Sequence, residues 1–278
     1  MRAQSQPPSP PDCLSDSPRM SLSPPNDPAP TPDFLLVLPA YRELERLPRY
    51  LSALTGALSK APWKTEILVV DDGSPSREQE ALSGQVKVGT SGRCRVLPLL
   101  ALERNSLKGD AILEGWRSRP ARWLAFADSD GAASAGEVVR VLGQIAAGDT
   151  TEGSAYFAVR HGRGSPGTGR TAARRLLGRI FSWLAGLALR VRPIDFQCGF
   201  KVIPGKVLPR IEDRLEGRGL CFDLALFLEL GAEGVPVVPV PIEWNEMPGG
   251  KISAWRNGPG MIAGLWNLAT RKAAAKRN

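Results

Sequence analysis

Two acidic clusters stand where apolar runs end. Asp71-Asp72-Gly73-Ser74 follows Ile67-Leu68-Val69-Val70, and Asp128-Ser129-Asp130-Gly131 follows Trp123-Leu124-Ala125-Phe126-Ala127. Two carboxylates at i and i+2 on a loop suit a hard divalent cation, and such a cation can in turn hold a diphosphate. Carboxylates this close also repel unless something cationic lies between them. The chemistry suggested is the handling of a nucleotide-activated substrate. His161 is the only histidine, so a histidine triad or histidine-rich metal site within one chain is excluded. Cys13, Cys94, Cys198 and Cys221 are far apart, without metal-ligand spacing, and fit a reducing compartment better than a disulfide scaffold.

These carboxylates need a frame. Apolar runs predict strands over 34–38, 67–70, 95–100, 122–127 and 155–159, and an edge strand, broken by prolines, over 235–240. Helical spacing predicts helices over 44–58, 76–82, 108–116, 134–147, 170–189, 222–230 and 260–278. Residues 193–201 read as a polar turn. The alternation implies an α/β fold with a mostly parallel central sheet flanked by helices. Right-handed crossovers would gather the strand ends at 39–41, 71–74, 101–105 and 128–131 along one rim, where α/β proteins bind ligands.

The chain has 278 residues and a formal charge of +8. Basicity suits nucleic acid, an anionic membrane surface or a phosphorylated substrate. Nucleic acid is the weakest of these, because interleaved surface aromatics and a recognition module are both missing. Residues 1–32 are rich in Pro and Ser and read as a disordered tail without the features of a signal peptide. No stretch reaches the roughly 18 to 20 apolar residues of a spanning helix. The 170–189 segment carries Arg170, Arg174, Arg175 and Arg179, and no acidic residue occurs from Gly153 to Pro193. It is either a membrane-interface helix or a core helix with a solvated arginine face.

Further motifs follow in order: Pro39-Ala40-Tyr41-Arg42-Glu43, Asn105-Ser106-Leu107-Lys108-Gly109, Asp195-Phe196-Gln197-Cys198-Gly199-Phe200-Lys201, Phe222-Asp223-Leu224-Ala225, and Trp244 to Lys251. With the two acidic clusters, they resemble an inverting glycosyltransferase of family 2 on the GT-A fold over residues 33–256. Within that family the chain is most similar to the dolichyl- and polyprenyl-phosphate sugar transferases, the β-glucosyl branch in particular. Several positions depart from the family pattern. Arg42 stands for Asn, Leu44 for Glu, Leu107 for Gly and Ala225 for Glu.

The resemblance implies roles. Pro39, Ala40, Tyr41 and Glu43 would line the nucleotide base and ribose, and Asp72 would hold the same side of the nucleotide. Asp128 and Asp130 would bracket the donor diphosphate and Mg²⁺ or Mn²⁺, with Asp130 the direct ligand. Lys108 would reach a phosphate. Arg160, Arg170, Arg174, Arg175, Lys201 and Lys251 would cradle the acceptor phosphate. Asp195 and Gln197 would orient the sugar or the metal site, and Asp223 would be the acid near the acceptor. The implied reaction moves glucose from UDP-glucose to a polyprenyl or dolichyl phosphate, at the cytoplasmic face of a membrane to which the protein is peripherally bound. The alternatives are another donor such as GDP-mannose, a non-lipid acceptor, or a catalytically decayed nucleotide-sugar-binding protein. Residues 33–150 would form the nucleotide-binding half, 151–256 the acceptor half, and 257–278 a basic C-terminal helix.

Overall fold

The structure is a computed structural model that describes residues 31–148, 153–161, 195–217, 219–245, 247, 264 and 270. The strands among these are β1 (Phe34–Ala40), β2 (Thr65–Asp71), β3 (Gly89–Ser91), β4 (Cys94–Val96), β5 (Leu100–Ala101), β6 (Trp123–Ala127), β7 (Ala155–His161), β8 (Phe200–Pro204) and β9 (Val237–Glu243). The helices are α1 (Leu47–Leu58), α2 (Ser76–Gln85), α3 (Leu107–Arg117), α4 (Ala135–Ala146), α5 (Leu208–Leu215) and α6 (Phe222–Ala232).

The described strands form one sheet in the order β3-β4-β2-β1-β6-β8-β7-β9, with β5 also pairing β2. β1 and β2 are buried along their whole length, as the inner strands of a sheet covered on both faces must be. Alternate residues serve opposite layers. Leu35 and Val37 pack with Trp116, Phe126, Phe157 and Phe222, under α3, α5 and α6. Phe34, Leu36 and Leu38 pack with Leu51, Leu54, Val138 and Leu142, under α1 and α4. The apolar face expected for 134–147 is the observed one: Val138, Val141, Leu142 and Ile145 are buried, and Ser134 Oγ accepts from the Glu137 N–H to cap α4.

The parallel core β4-β2-β1-β6 follows the expected α/β pattern. Three parts do not match the sequence reading. The strand expected over 95–100 is two short pieces, β4 and β5, with β3 antiparallel to β4. Pro98 lies between the pieces and has no N–H for a ladder. Residues 200–204, of which 200 and 201 are read as the end of a polar turn, form β8, antiparallel between β6 and β7. A helix at 208–215 was not foreseen, although Leu208, Ile211 and Leu215 have helical spacing and are its buried face. The edge strand is present as β9, shifted to 237–243 and parallel to β7. The tail at 1–30 and the helices expected at 170–189 and 260–278 lie outside the described residues, apart from residues 264 and 270.

Candidate active site

β1, β2 and β5 end in register, with Ala40 opposite Asp71 and Asp71 opposite Ala101. The loops that follow β1, β2, β5 and β6 therefore share one rim. The neighbouring carboxylates Asp71 and Asp72 divide their work there. Asp71 is fully buried and accepts from Ser74 N (2.8 Å), Ser74 Oγ (2.8 Å) and Gln79 Nε2 (2.9 Å). It shapes the turn. Gly73 is required in that turn: its φ is 66°, and a Cβ there would lie 2.2 Å from the Arg104 carbonyl carbon. Asp72 donates its N–H to Ala40 O (2.7 Å), and its Oδ1 accepts from Ser106 N (2.7 Å). It joins the loops after β1, β2 and β5. Burial pushes its carboxyl up, against the N–H groups of Ser106 and Leu107, which favour the charged form.

Asp128 and Asp130 follow β6. Asp128 Oδ1 is 2.6 Å from Lys108 Nζ, and the Lys108 ammonium also lies 4.9 Å from the Phe126 ring centre. Burial works against that ammonium, but the charges of Asp128 and Asp223 outweigh it and push the Lys108 pKa up. Asp128 N donates to Gly199 O at 2.8 Å, and a Cβ on Gly199 would lie 1.8 Å from Asp128 Oδ2. Asp130 accepts from Ala132 N at 3.0 Å and stands 3.9 Å from Arg46 Nη1. Burial, then the Asp128 charge, pushes its carboxyl up. Arg46 also grips Glu43, with Nε 2.8 Å from Oε2 and a second contact from Nη2 to Oε1.

Among the described residues, no three or more His, Cys, Asp or Glu side chains gather to hold a metal ion. The donor set nevertheless suits one that arrives with a substrate. Mg²⁺ is commonly bound through one or two carboxylates, with phosphate oxygens and water completing its shell. Asp128 and Asp130 supply two hard oxygen donors, and cationic side chains already stand against both of them.

The residues expected on the acceptor side are paired with each other. Arg160 Nε and Nη2 reach Asp195 Oδ2 and Oδ1, each at 2.6 Å, and the guanidinium lies 5.8 Å from the Trp244 ring centre. Burial pushes the Asp195 carboxyl up, but Arg160 outweighs it and holds the group below its ordinary range. Lys201 Nζ is 2.5 Å from Asp223 Oδ1 and donates to Cys198 O at 2.7 Å. One expectation changes, and two other expected residues have partners within the chain. Lys201 is fully buried, so it does not cradle an acceptor phosphate. Arg160 is committed to Asp195 in a two-pronged pair. Glu43 is engaged by Arg46.

Pro39 and Ala40 are buried as the end of β1, and half-buried Tyr41 has the Arg42 guanidinium 5.4 Å from its ring centre. Ala225 is fully buried in the apolar layer under α6. Arg170, Arg174, Arg175 and Lys251 lie outside the described residues. Two contributors are given no role by the sequence motifs: Arg46, beside Asp130, and Gly199, against Asp128. A glycine at the entry to a strand is a signal of close approach, and Gly199 fits it.

A β-rimmed site of this kind on this sheet belongs to the GT-A nucleotide-sugar transferases. The profile of glycosyl transferase family 2 matches residues 35–185, and the chain belongs to that family. It is 29% identical over 249 residues to dolichyl-phosphate beta-glucosyltransferase of Drosophila melanogaster, covering 86% of this chain and 72% of that one. It is 30% identical over 230 residues to polyprenol monophosphomannose synthase of Mycolicibacterium smegmatis, covering 79% and 81%. Its fold is similar to that of glucosyl-3-phosphoglycerate synthase from Mycobacterium tuberculosis, crystallised with Mg²⁺ and UDP, at a TM-score of 0.58 and 14% identity, covering 87% and 80%. The chain is a nucleotide-sugar-dependent glycosyltransferase of GT-A type.

Proposed function

We propose that this enzyme moves a hexosyl group from a nucleoside diphosphate sugar to a phosphate-bearing lipid, with a divalent cation at Asp128 and Asp130. The observation that carries the reading is the meeting of those two carboxylates with Lys108 and Arg46 on the strand-end rim. Opposite charges so disposed can accept a diphosphate and its cation together without a large change in net charge. The relatives support a polyprenyl or dolichyl phosphate as acceptor. UDP-glucose is the donor expected from the β-glucosyl branch. The 30% identity to a polyprenol monophosphomannose synthase supports a mannosyl donor such as GDP-mannose equally well, so the reading is framed on the shared reaction.

In an inverting transfer, an acceptor phosphate oxygen attacks the anomeric carbon. The bond to the diphosphate oxygen breaks, and the nucleoside diphosphate leaves with that electron pair. A phosphate acceptor is ionised near neutral pH and needs no side chain to deprotonate it. The cation, when bound, neutralises charge on the leaving diphosphate. Lys108, 2.6 Å from Asp128, would pass to a diphosphate oxygen when the donor binds. Asp72 holds the loops around the nucleotide. The Arg160–Asp195 pair sets the wall beside Trp244 on the acceptor side, and Asp223 holds Lys201. Peripheral contact with a membrane surface is part of the same proposal, supported by the lipid-phosphate relatives. The division into a nucleotide half at 33–150 and an acceptor half at 151–256 belongs to the same proposal.

The test is purified protein with Mg²⁺ or Mn²⁺, polyprenyl phosphate, and radiolabelled UDP-glucose or GDP-mannose in separate reactions. Metal-dependent label in the organic phase is the expected result, and the productive reaction names the donor. Label transferred only to a soluble phosphorylated acceptor would replace the lipid. Nucleotide binding with no transfer to any acceptor would favour a decayed binding protein.

A further inference from the structure

Lys201 is a charged residue in the middle of a sheet. It sits on β8, in register with Phe126 on β6 and Phe157 on β7. Its ammonium lies 5.2 Å and 5.1 Å from the centres of those two rings, and the residue is fully buried. Placing an ammonium there is costly, and a pair of apolar side chains would usually serve stability as well or better. The pair therefore calls for a role other than stability.

Its contacts supply one. Lys201 Nζ holds the Cys198 carbonyl at 2.7 Å and the Asp223 carboxylate at 2.5 Å. The residue after Cys198 is Gly199, whose carbonyl accepts from Asp128 N at 2.8 Å. The bare Cα of Gly199 leaves no room for a Cβ against the Asp128 carboxylate. On the other side, the Lys201 ammonium and the Lys108 ammonium, which is bonded to Asp128 Oδ1, lie 5.2 Å and 4.9 Å from the centre of the same Phe126 ring. Two routes run from one buried ammonium to one carboxylate. The first is through backbone, Lys201 to Cys198 and Gly199 to Asp128. The second is through the Phe126 ring, Lys201 to Phe126 to Lys108 to Asp128.

We infer that Lys201 is a positioning residue for the donor site: from within the sheet, it fixes the place of Asp128 and of Lys108. This rests on the reading of the rim as the diphosphate-binding site. Lys201 touches no substrate. Its effect would be felt in nucleotide binding, where a small misplacement of a ligand group is amplified.

The test is calorimetric titration of the full chain with UDP and with GDP, each with Mn²⁺, alongside thermal unfolding. Lys201→Met should lose both stability and binding, because Asp223 is left unpaired. Lys201→Met with Asp223→Leu removes both charges and should regain wild-type stability. It should still bind the nucleotide at least about tenfold more weakly. Asp223→Asn keeps an oxygen for Lys201 and should bind at least about fivefold more tightly than the double variant. Wild-type binding by a folded double variant would overturn the inference, because Lys201 would then be structural only. Equal loss in Asp223→Asn and the double variant would overturn it too, by assigning the effect to Asp223. If the double variant does not fold, Lys201→Gln carries the same comparison. If the wild type binds neither nucleotide, the donor-site reading itself falls, and the inference falls with it.

Discussion

The Cα of Gly199 rests against the carboxylate of Asp128, so closely that a Cβ would overlap Oδ2 at 1.8 Å. The two residues stand just beyond the paired ends of β8 and β6, and the Gly199 carbonyl also holds the Asp128 N–H. Gly199→Ala must therefore move a group proposed to hold the donor. The expected result is a chain that folds, by circular dichroism, with transfer reduced by about a hundredfold. Unchanged turnover would separate Asp128 from the chemistry.

Asp130 sets its own pH dependence. Its folded-state pKa is raised by burial and by Asp128. A raised carboxyl costs stability once pH has climbed from the unfolded range through the folded value, and the full cost is present above that value. Asp130→Asn should therefore raise the melting temperature of metal-free protein at pH 7, by roughly 2–4 °C for each kcal/mol relieved. The gain should vanish below the carboxylate range. The same variant should lose metal-dependent transfer. Stabilisation with full activity would remove Asp130 from the metal site.

Asp195 has the opposite sign. Arg160 holds it below its ordinary range, so the pair contributes stability above the unfolded carboxylate pKa, and that contribution is lost as pH falls through the folded value. Asp195→Ala should cost about 2–3 kcal/mol in urea unfolding at pH 7 and much less in acid. A loss independent of pH would mean that packing, not charge, is what Asp195 supplies.

Leu107 has a φ of 72°, left-handed backbone at a bulky residue, and it is 46% exposed. That conformation costs roughly 1–2 kcal/mol for an L residue, while glycine loses about 0.5–1 through its freer unfolded chain. Leu107→Gly should therefore stabilise the protein by about 0.5–1 kcal/mol in denaturant titration. A net loss would show that the contact of Leu107 with Gly219 outweighs the strain.

The rim was legible in the sequence because its signals are local. An apolar run followed by Asp and Gly marks a strand end, and both clusters stand at such ends. The left-handed turn at Leu107 was half legible: the family pattern has Gly there, and the backbone keeps the glycine-like conformation around a leucine. β8 was hidden because Lys201 interrupts its apolar run. The partners that make a buried lysine tolerable are Phe126, Phe157 and Asp223, all distant in sequence. The division of labour between Asp71 and Asp72 was equally invisible, since it depends on Gln79 and Ser106 reaching back from other elements.

β9 closes the sheet with Pro239 and Pro241, which face Phe157 and Val159 of β7 in a parallel pairing. Neither proline has an N–H, so the donors toward β7 come from the residues between them. The outward positions on that stretch are the ones the prolines leave blank. An incoming strand would find carbonyls there without the matching donors, which makes this border a poor template for stacking one molecule on the next. The chain is thereby kept from polymerising through this border of its sheet.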